Sequence, residues 1–65
     1  MYSVLLIDSR GEGSYLSVKG KTQWKTKKVA VNHAKDIKEA IDKGLTMWDT
    51  VIVEVENEFG ELIDF

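Results

Sequence analysis

The sequence predicts a small α+β domain, a mainly antiparallel sheet of two β-hairpins with one helix packed on one face. Three observations predict it. Strand-like runs stand on both sides of a single helical segment. Glycine-bearing turns join those runs in pairs. One apolar stripe, Ala30, Ala34, Ile37, Ile41 and Leu45, has helical spacing and supplies a single face to cover a sheet.

The first run, "YSVLLID" (Tyr2–Asp8), alternates with Val4 and Leu6 on one side and Leu5 and Ile7 on the other. Apolar residues on both faces predict a central strand covered on both sides, or a dimer contact. "SRGEGS" (Ser9–Ser14) has the glycines and serines of a turn. "YLSVK" (Tyr15–Lys19) returns, with Leu16 and Val18 inward and Tyr15, Ser17 and Lys19 outward, and Gly20 then bends the chain. "KTQWKTKK" has no clean period and is expected to be a loop or an irregular edge. "KVAVN" (Lys28–Asn32) alternates briefly and offers a fifth short strand.

The helix has two competing starts. Asn32 caps a helix from His33, or Asp36 with Glu39 forms a capping box before a shorter helix from Ile37. Its end is set by Lys43 in the last turn and Gly44 just beyond. "TVIVEVEN" is the strongest strand, with Val51, Val53 and Val55 facing the helix and Ile52, Glu54 and Glu56 facing away. "NEFG" (Asn57–Gly60) connects it to a final strand, "ELIDF" (Glu61–Phe65). Trp48, beside Met47 and Leu45, is expected to close the end of the core.

The 65 residues are read as one domain, residues 1–65, whose small size leaves a thin stability margin. Without cysteine there is no disulfide or thiolate zinc site to supplement the core. No apolar run approaches a membrane span, and "MYSVLLIDSR" lacks the basic start of a signal peptide, so a cytoplasmic protein with no membrane association is expected. The net charge of −2 hides a polarity: Gly13 to Lys35 holds six lysines and no acid, and Gly44 to Phe65 holds six acids and no basic residue. The simplest account pairs the two halves as neighbouring strands that neutralise each other. The other is a partner surface.

Motifs for catalysis fail on spacing. "GKT" (Gly20–Thr22) ends like a phosphate-binding loop, but Tyr15 stands where the first glycine belongs. "GEG" (Gly11–Gly13) lacks the third glycine of a dinucleotide fingerprint, since Leu16 holds that place. His33 is the lone histidine and is read as a boundary or surface residue, and no serine sits in a nucleophile elbow. Glu54 and Glu56 read as solvated, without the burial that tunes a catalytic acid. No calcium-loop spacing is present. The expectation is therefore a protein that is not an enzyme, with no cofactor and no metal.

What remains is binding. Lys21, Lys25, Lys27 and Lys28 surround Trp24, and with Tyr15 they are the candidate binding residues. Trp24 is either an anchor that folds this segment onto the sheet or an exposed contact. A second, acidic candidate surface is Glu54, Glu56 and Glu58. A protein partner is the leading expectation. Nucleic acid bound by the stretch 18–28 is the alternative, weakened by the acidic balance of the whole chain. Self-association, such as a homodimer through "VLLI" or "ELIDF", is a further one.

"YLSVKGKTQWKTKKVAVNHAKDIKEAIDKG" followed by "VIVEVENEFGELI" resembles a pattern of small uncharacterised accessory proteins of bacteriophages and prophages. The matching positions are Tyr15, Leu16, Trp24, Thr26, Ala30, Glu39, Ala40, Val53, Glu54 and Val55, over about 40 residues. The aromatic usual between the alanine and the helix is missing, with Val31 or His33 in its place. The resemblance carries no site residues. It implies a context in which such proteins act by binding a host protein.

Overall fold

The structure is a computed structural model that describes residues 1–45 and 49–65. In chain order the elements are β1 (Tyr2–Asp8), β2 (Gly13–Tyr15), α1 (Lys27–Asp42), β3 (Thr50–Asn57) and β4 (Leu62–Ile63). The strands form one four-stranded sheet in the order β2-β1-β3-β4, with every neighbouring pair antiparallel. The helix packs across one face, the architecture that the sequence pattern predicts. The two hairpins, β1–β2 and β3–β4, meet along β1 and β3.

Side-chain alternation decides what each face carries. Val4 lies opposite Val55 and Leu6 opposite Val53, and these four point toward α1. Val4, Val55, Ala30 and Ala34 have no exposed surface. Alanines at the contact let the helix axis approach the sheet closely, so two valines meet backbone-near helix surface. Full burial of each valine contributes about 1.5–3 kcal/mol. Leu6, Leu16 and Trp24 complete the core, and Ile37 and Val53 pack half-buried around it. Val51 does not join them. The register shifts between Ile7 and Asp8, which pair with Ile52 and Thr50, and the intervening Val51 is exposed.

The helix begins earlier than either sequence reading allows. Thr26 is its cap, with extended backbone and Oγ1 accepting from the Val29 amide at 3.4 Å. Neither Asn32 nor Asp36 starts it, and Lys28–Asn32 is helix, so there is no fifth strand there. The competing forces are visible in the residues. Val29 and Val31 favour strand locally. The pair Ala30 and Ala34, one turn apart, gains complete burial only in a helix, and that tertiary term wins. His33 consequently lies within the helix, half-buried, with its ring 4.8 Å from that of Trp24.

The helix stops at Gly44 as predicted, with Lys43 as its C-cap rather than in its last turn. The Gly44 amide bonds the Ile41 carbonyl and the Leu45 amide bonds the Ala40 carbonyl, a Schellman stop. The stripe therefore ends at Ile41, and Leu45 is exposed rather than core. The second strand is Gly13–Tyr15 rather than Tyr15–Lys19. Beyond it Leu16 still bonds Val4 and points inward, while Val18 and Lys21 exchange two 2.9 Å bonds around a tight turn. The last strand is shorter than expected, Leu62–Ile63. The expectation for Trp48 and Met47 falls outside the described residues. Among the described residues no helix is long and apolar enough to cross a membrane.

Candidate functional site

Trp24 settles the geometry of the lysine segment. Its amide and carbonyl both bond Tyr2, at 2.8 and 2.7 Å, which holds the segment on the outer edge of β1. Its ring is 6% exposed and packs on His33. Trp24 is thus the anchor and not an exposed contact, which removes it from the candidate binding surface. Around it, Lys21, Lys25, Lys27 and Lys28 are all exposed, as is Lys19.

Two of these lysines stand where electrostatics disfavours them. Lys27 and Lys28 open α1, whose first turn contains no acidic residue. The helix N-terminus already carries partial positive charge, so cations there cost about 0.3–1 kcal/mol each. Among the described residues Lys19, Lys21, Lys25, Lys27 and Lys28 make no ion pair; the pairs found use Arg10, Lys43 and the N-terminal amine.

The expected neutralisation between neighbouring strands does not occur. β1 separates β2 from β3, and the lysines sit in the edge segment and the helix rather than in a strand beside the glutamates. The two charged groups occupy different layers. Lys27 and Lys28 belong to the helix layer. Glu54 and Glu56 lie on the opposite face of the sheet, in register with Leu5 and Ser3.

That opposite face has no element packed on it among the described residues. It carries Leu5, Ile7, Tyr15, Ile52 and Leu62 beside Glu54 and Glu56. Tyr15 is 52% exposed, and its hydroxyl donates to the Glu56 carboxylate. That bond, reinforced by repulsion between phenolate and carboxylate, holds the Tyr15 pKa above its ordinary 10.0. A cleft of about 310 Å³ opens beside this pair, lined by Ser3, Tyr15, Thr22, Gln23, Glu56 and Glu58. Glu58 lies in the β3–β4 turn, 3.8 Å from the N-terminal amine. The three acidic candidates are thereby gathered along one face and one turn, with Tyr15 among them rather than among the lysines. The sequence already groups the three glutamates; the place of Tyr15 among them is what it does not foretell, because that depends on strand order.

Among the described residues, no group of three or more histidine, aspartate or glutamate side chains is placed to hold a metal ion. No family model, curated protein or solved structure matches the chain.

Proposed function

We propose that this protein is a non-enzymatic binding module whose lysine surface, Lys21, Lys25, Lys27 and Lys28, takes an acidic protein partner, in the host-directed context that the phage-type resemblance implies. One observation carries the reading: Lys27 and Lys28, exposed and without an ion pair among the described residues, open α1, where they oppose the helix dipole. Residues that cost stability and gain nothing inside the fold are accounted for by what they meet outside it.

Two features favour protein over nucleic acid. A single-strand platform needs rings for base stacking beside its cations. Here Trp24 is buried, and Tyr15 is engaged by Glu56 on the acidic face. The whole chain is also acidic, with pI about 5.2.

The test separates stability from binding. Lys28→Glu is expected to raise thermal stability slightly, by about 0.3–1 kcal/mol. The same change is expected to weaken binding of a poly-glutamate probe by several-fold, with affinity falling as salt rises. Tighter binding of a labelled single-stranded oligonucleotide than of poly-glutamate would transfer the surface to nucleic acid. Unchanged poly-glutamate affinity in Lys25→Glu/Lys28→Glu would remove these lysines from the function.

A further inference from the structure

We infer that the sheet face opposite α1, on which no element packs among the described residues, is a second binding surface, which receives a cationic amphipathic segment of a partner protein. The inference does not rest on the lysine surface and uses the opposite layer of the molecule.

The first ground is apolar area without a fold role. β1 presents Leu5 and Ile7 to the side away from α1, and both are only half-buried. Ile7 lies in register with Ile52, which is 46% exposed, and Leu62 on β4 is 59% exposed. An antiparallel sheet with one solvated face normally presents polar side chains there. A central strand apolar on both sides is instead the pattern of a sheet covered twice.

The second ground is charge, and it selects the occupant. Glu54 sits beside Leu5 and Glu56 beside Ser3, and neither forms an ion pair among the described residues. Glu56 already accepts the Tyr15 hydroxyl and faces the cleft that Glu58 also lines. A neutral apolar partner would bury these carboxylates unpaired, which is costly. A second copy docking face to face would add another Glu54 and Glu56 to the same interface. A segment with an apolar stripe flanked by arginine or lysine meets both demands. Its apolar side chains cover Leu5, Ile7 and Ile52, and a guanidinium or ammonium enters the cleft between Tyr15, Glu56 and Glu58.

Phe59 offers an exposed aromatic between Glu58 and Gly60, which line the cleft. It stands at the tip of the β3–β4 turn beside Glu58 and is 78% exposed. Aromatic residues, Phe included, are enriched in protein interfaces relative to the rest of the surface.

The test is a nuclear magnetic resonance titration of the isotope-labelled full chain with a leucine–lysine amphipathic peptide and its leucine–glutamate twin. The lysine peptide is expected to shift the amides of Leu5, Ile7, Tyr15, Ile52, Glu54 and Glu56. Its affinity is expected to fall about tenfold or more in Glu54→Gln/Glu56→Gln, because truncated charge pairs at a desolvated contact are lost outright. The double variant is expected to fold, since an amide oxygen at position 56 still accepts from the Tyr15 hydroxyl, and amide dispersion of the free variant checks this. No shift on that face, or equal affinity in the double variant, overturns the proposal. So does a concentration-dependent dimer through the same amides that the double variant strengthens, which would give the face to a second copy. The glutamate twin reports on the lysine surface alone, so failure of either proposal is read separately.

Discussion

The two hairpin turns use the same hydrogen bonds and differ in charge. In the first, "DSRGE" (8–12), Asp8 Oδ1 accepts from the amides of Arg10 and Glu12, both at 2.9 Å. In the second, "NEFGE" (57–61), Asn57 Oδ1 accepts from Phe59 at 2.9 Å and Glu61 at 3.0 Å. The backbone bonds repeat as well: Asp8 to Glu12 and Gly11 to Asp8, then Asn57 to Glu61 and Gly60 to Asn57, each 3.0 Å. A short side-chain acceptor at the first position and a glycine at the fourth are what this turn requires. The third position is left free, and it holds Arg10 in one turn and Phe59 in the other. The turn's backbone geometry therefore explains neither residue. Arg10 joins Asp8 and Glu12 in an ion-pair cluster, whereas Phe59 points to solvent with no such partner, which is why its exposure is read as functional.

The hairpins also differ in how their outer edges are closed. Beyond β2 the chain continues along β1 through Leu16 to Trp24, so β1 is flanked over its length. β4 pairs with β3 only at Val55 and Glu56. Trp24 is the fastening that makes this difference, and removing it should have the largest effect. Trp24→Ala is expected to cost about 3–5 kcal/mol, the range for deleting a buried large aromatic. A domain of this size has only about 3–10 kcal/mol in total. Urea unfolding followed by circular dichroism should show the variant's transition moved strongly toward zero denaturant, and a loss below about 1 kcal/mol would mean that the edge is closed without the ring.

A smaller effect should be equal at the two turns. Gly11 and Gly60 have φ of +85° and +78°, and a Cβ built on either meets nothing within 4 Å. Alanine at either position is thus expected to cost only the backbone term, about 1–2 kcal/mol. At about 4–8 °C per kcal/mol for a domain of this size, both variants should melt visibly and similarly lower. Unequal losses would show that the turns are not mechanically equivalent.

Much of this arrangement is legible in the sequence, and the parts that are not share a cause. The strands Tyr2–Asp8 and Thr50–Asn57 carry period-2 alternation, and the Gly44 stop carries its own local chemistry. The helix start is hidden because Thr26 is followed by Lys27 and Lys28, against the usual preference for acids in a first turn, and by the strand-like pair Val29 and Val31. The anchoring roles of Asp8 and Asn57 are masked by the more conspicuous glycines. Of the candidate binding residues, exposure of the lysines follows from residue type. The burial of Trp24 and the placing of Tyr15 beside Glu56 depend on which strands are neighbours, and strand order is not written in any local pattern.

The smallest expected effect is also the most specific, because only one of the two turns titrates through its anchoring side chain. The Glu12 amide, then the Arg10 amide and guanidinium, hold the Asp8 carboxyl below its ordinary 3.8, against an opposing contribution from burial. A carboxyl whose folded pKa is depressed contributes stability that is present above its unfolded value. That contribution is lost as the pH falls from about 3.8 through the folded pKa. Asp8→Asn keeps the acceptor oxygen but removes this dependence, so the first turn should become as insensitive to acid as the second. Asn57→Asp is not its mirror image. Asn57 Nδ2 donates to Glu61 Oε1 at 3.2 Å, and a carboxylate would lose that bond and face Glu61 with like charge. Phe59 stands where Arg10 would have compensated. Carboxyl-carbon titration should therefore place Asp8 below 3.8 in the native chain and the carboxylate introduced by Asn57→Asp at a higher midpoint. Equal midpoints would mean that the backbone amides alone set the value and that Arg10 contributes nothing. A separation that closes when Arg10→Gln is added to the native turn would assign it to the guanidinium, and with it the reason one turn carries aspartate and the other asparagine.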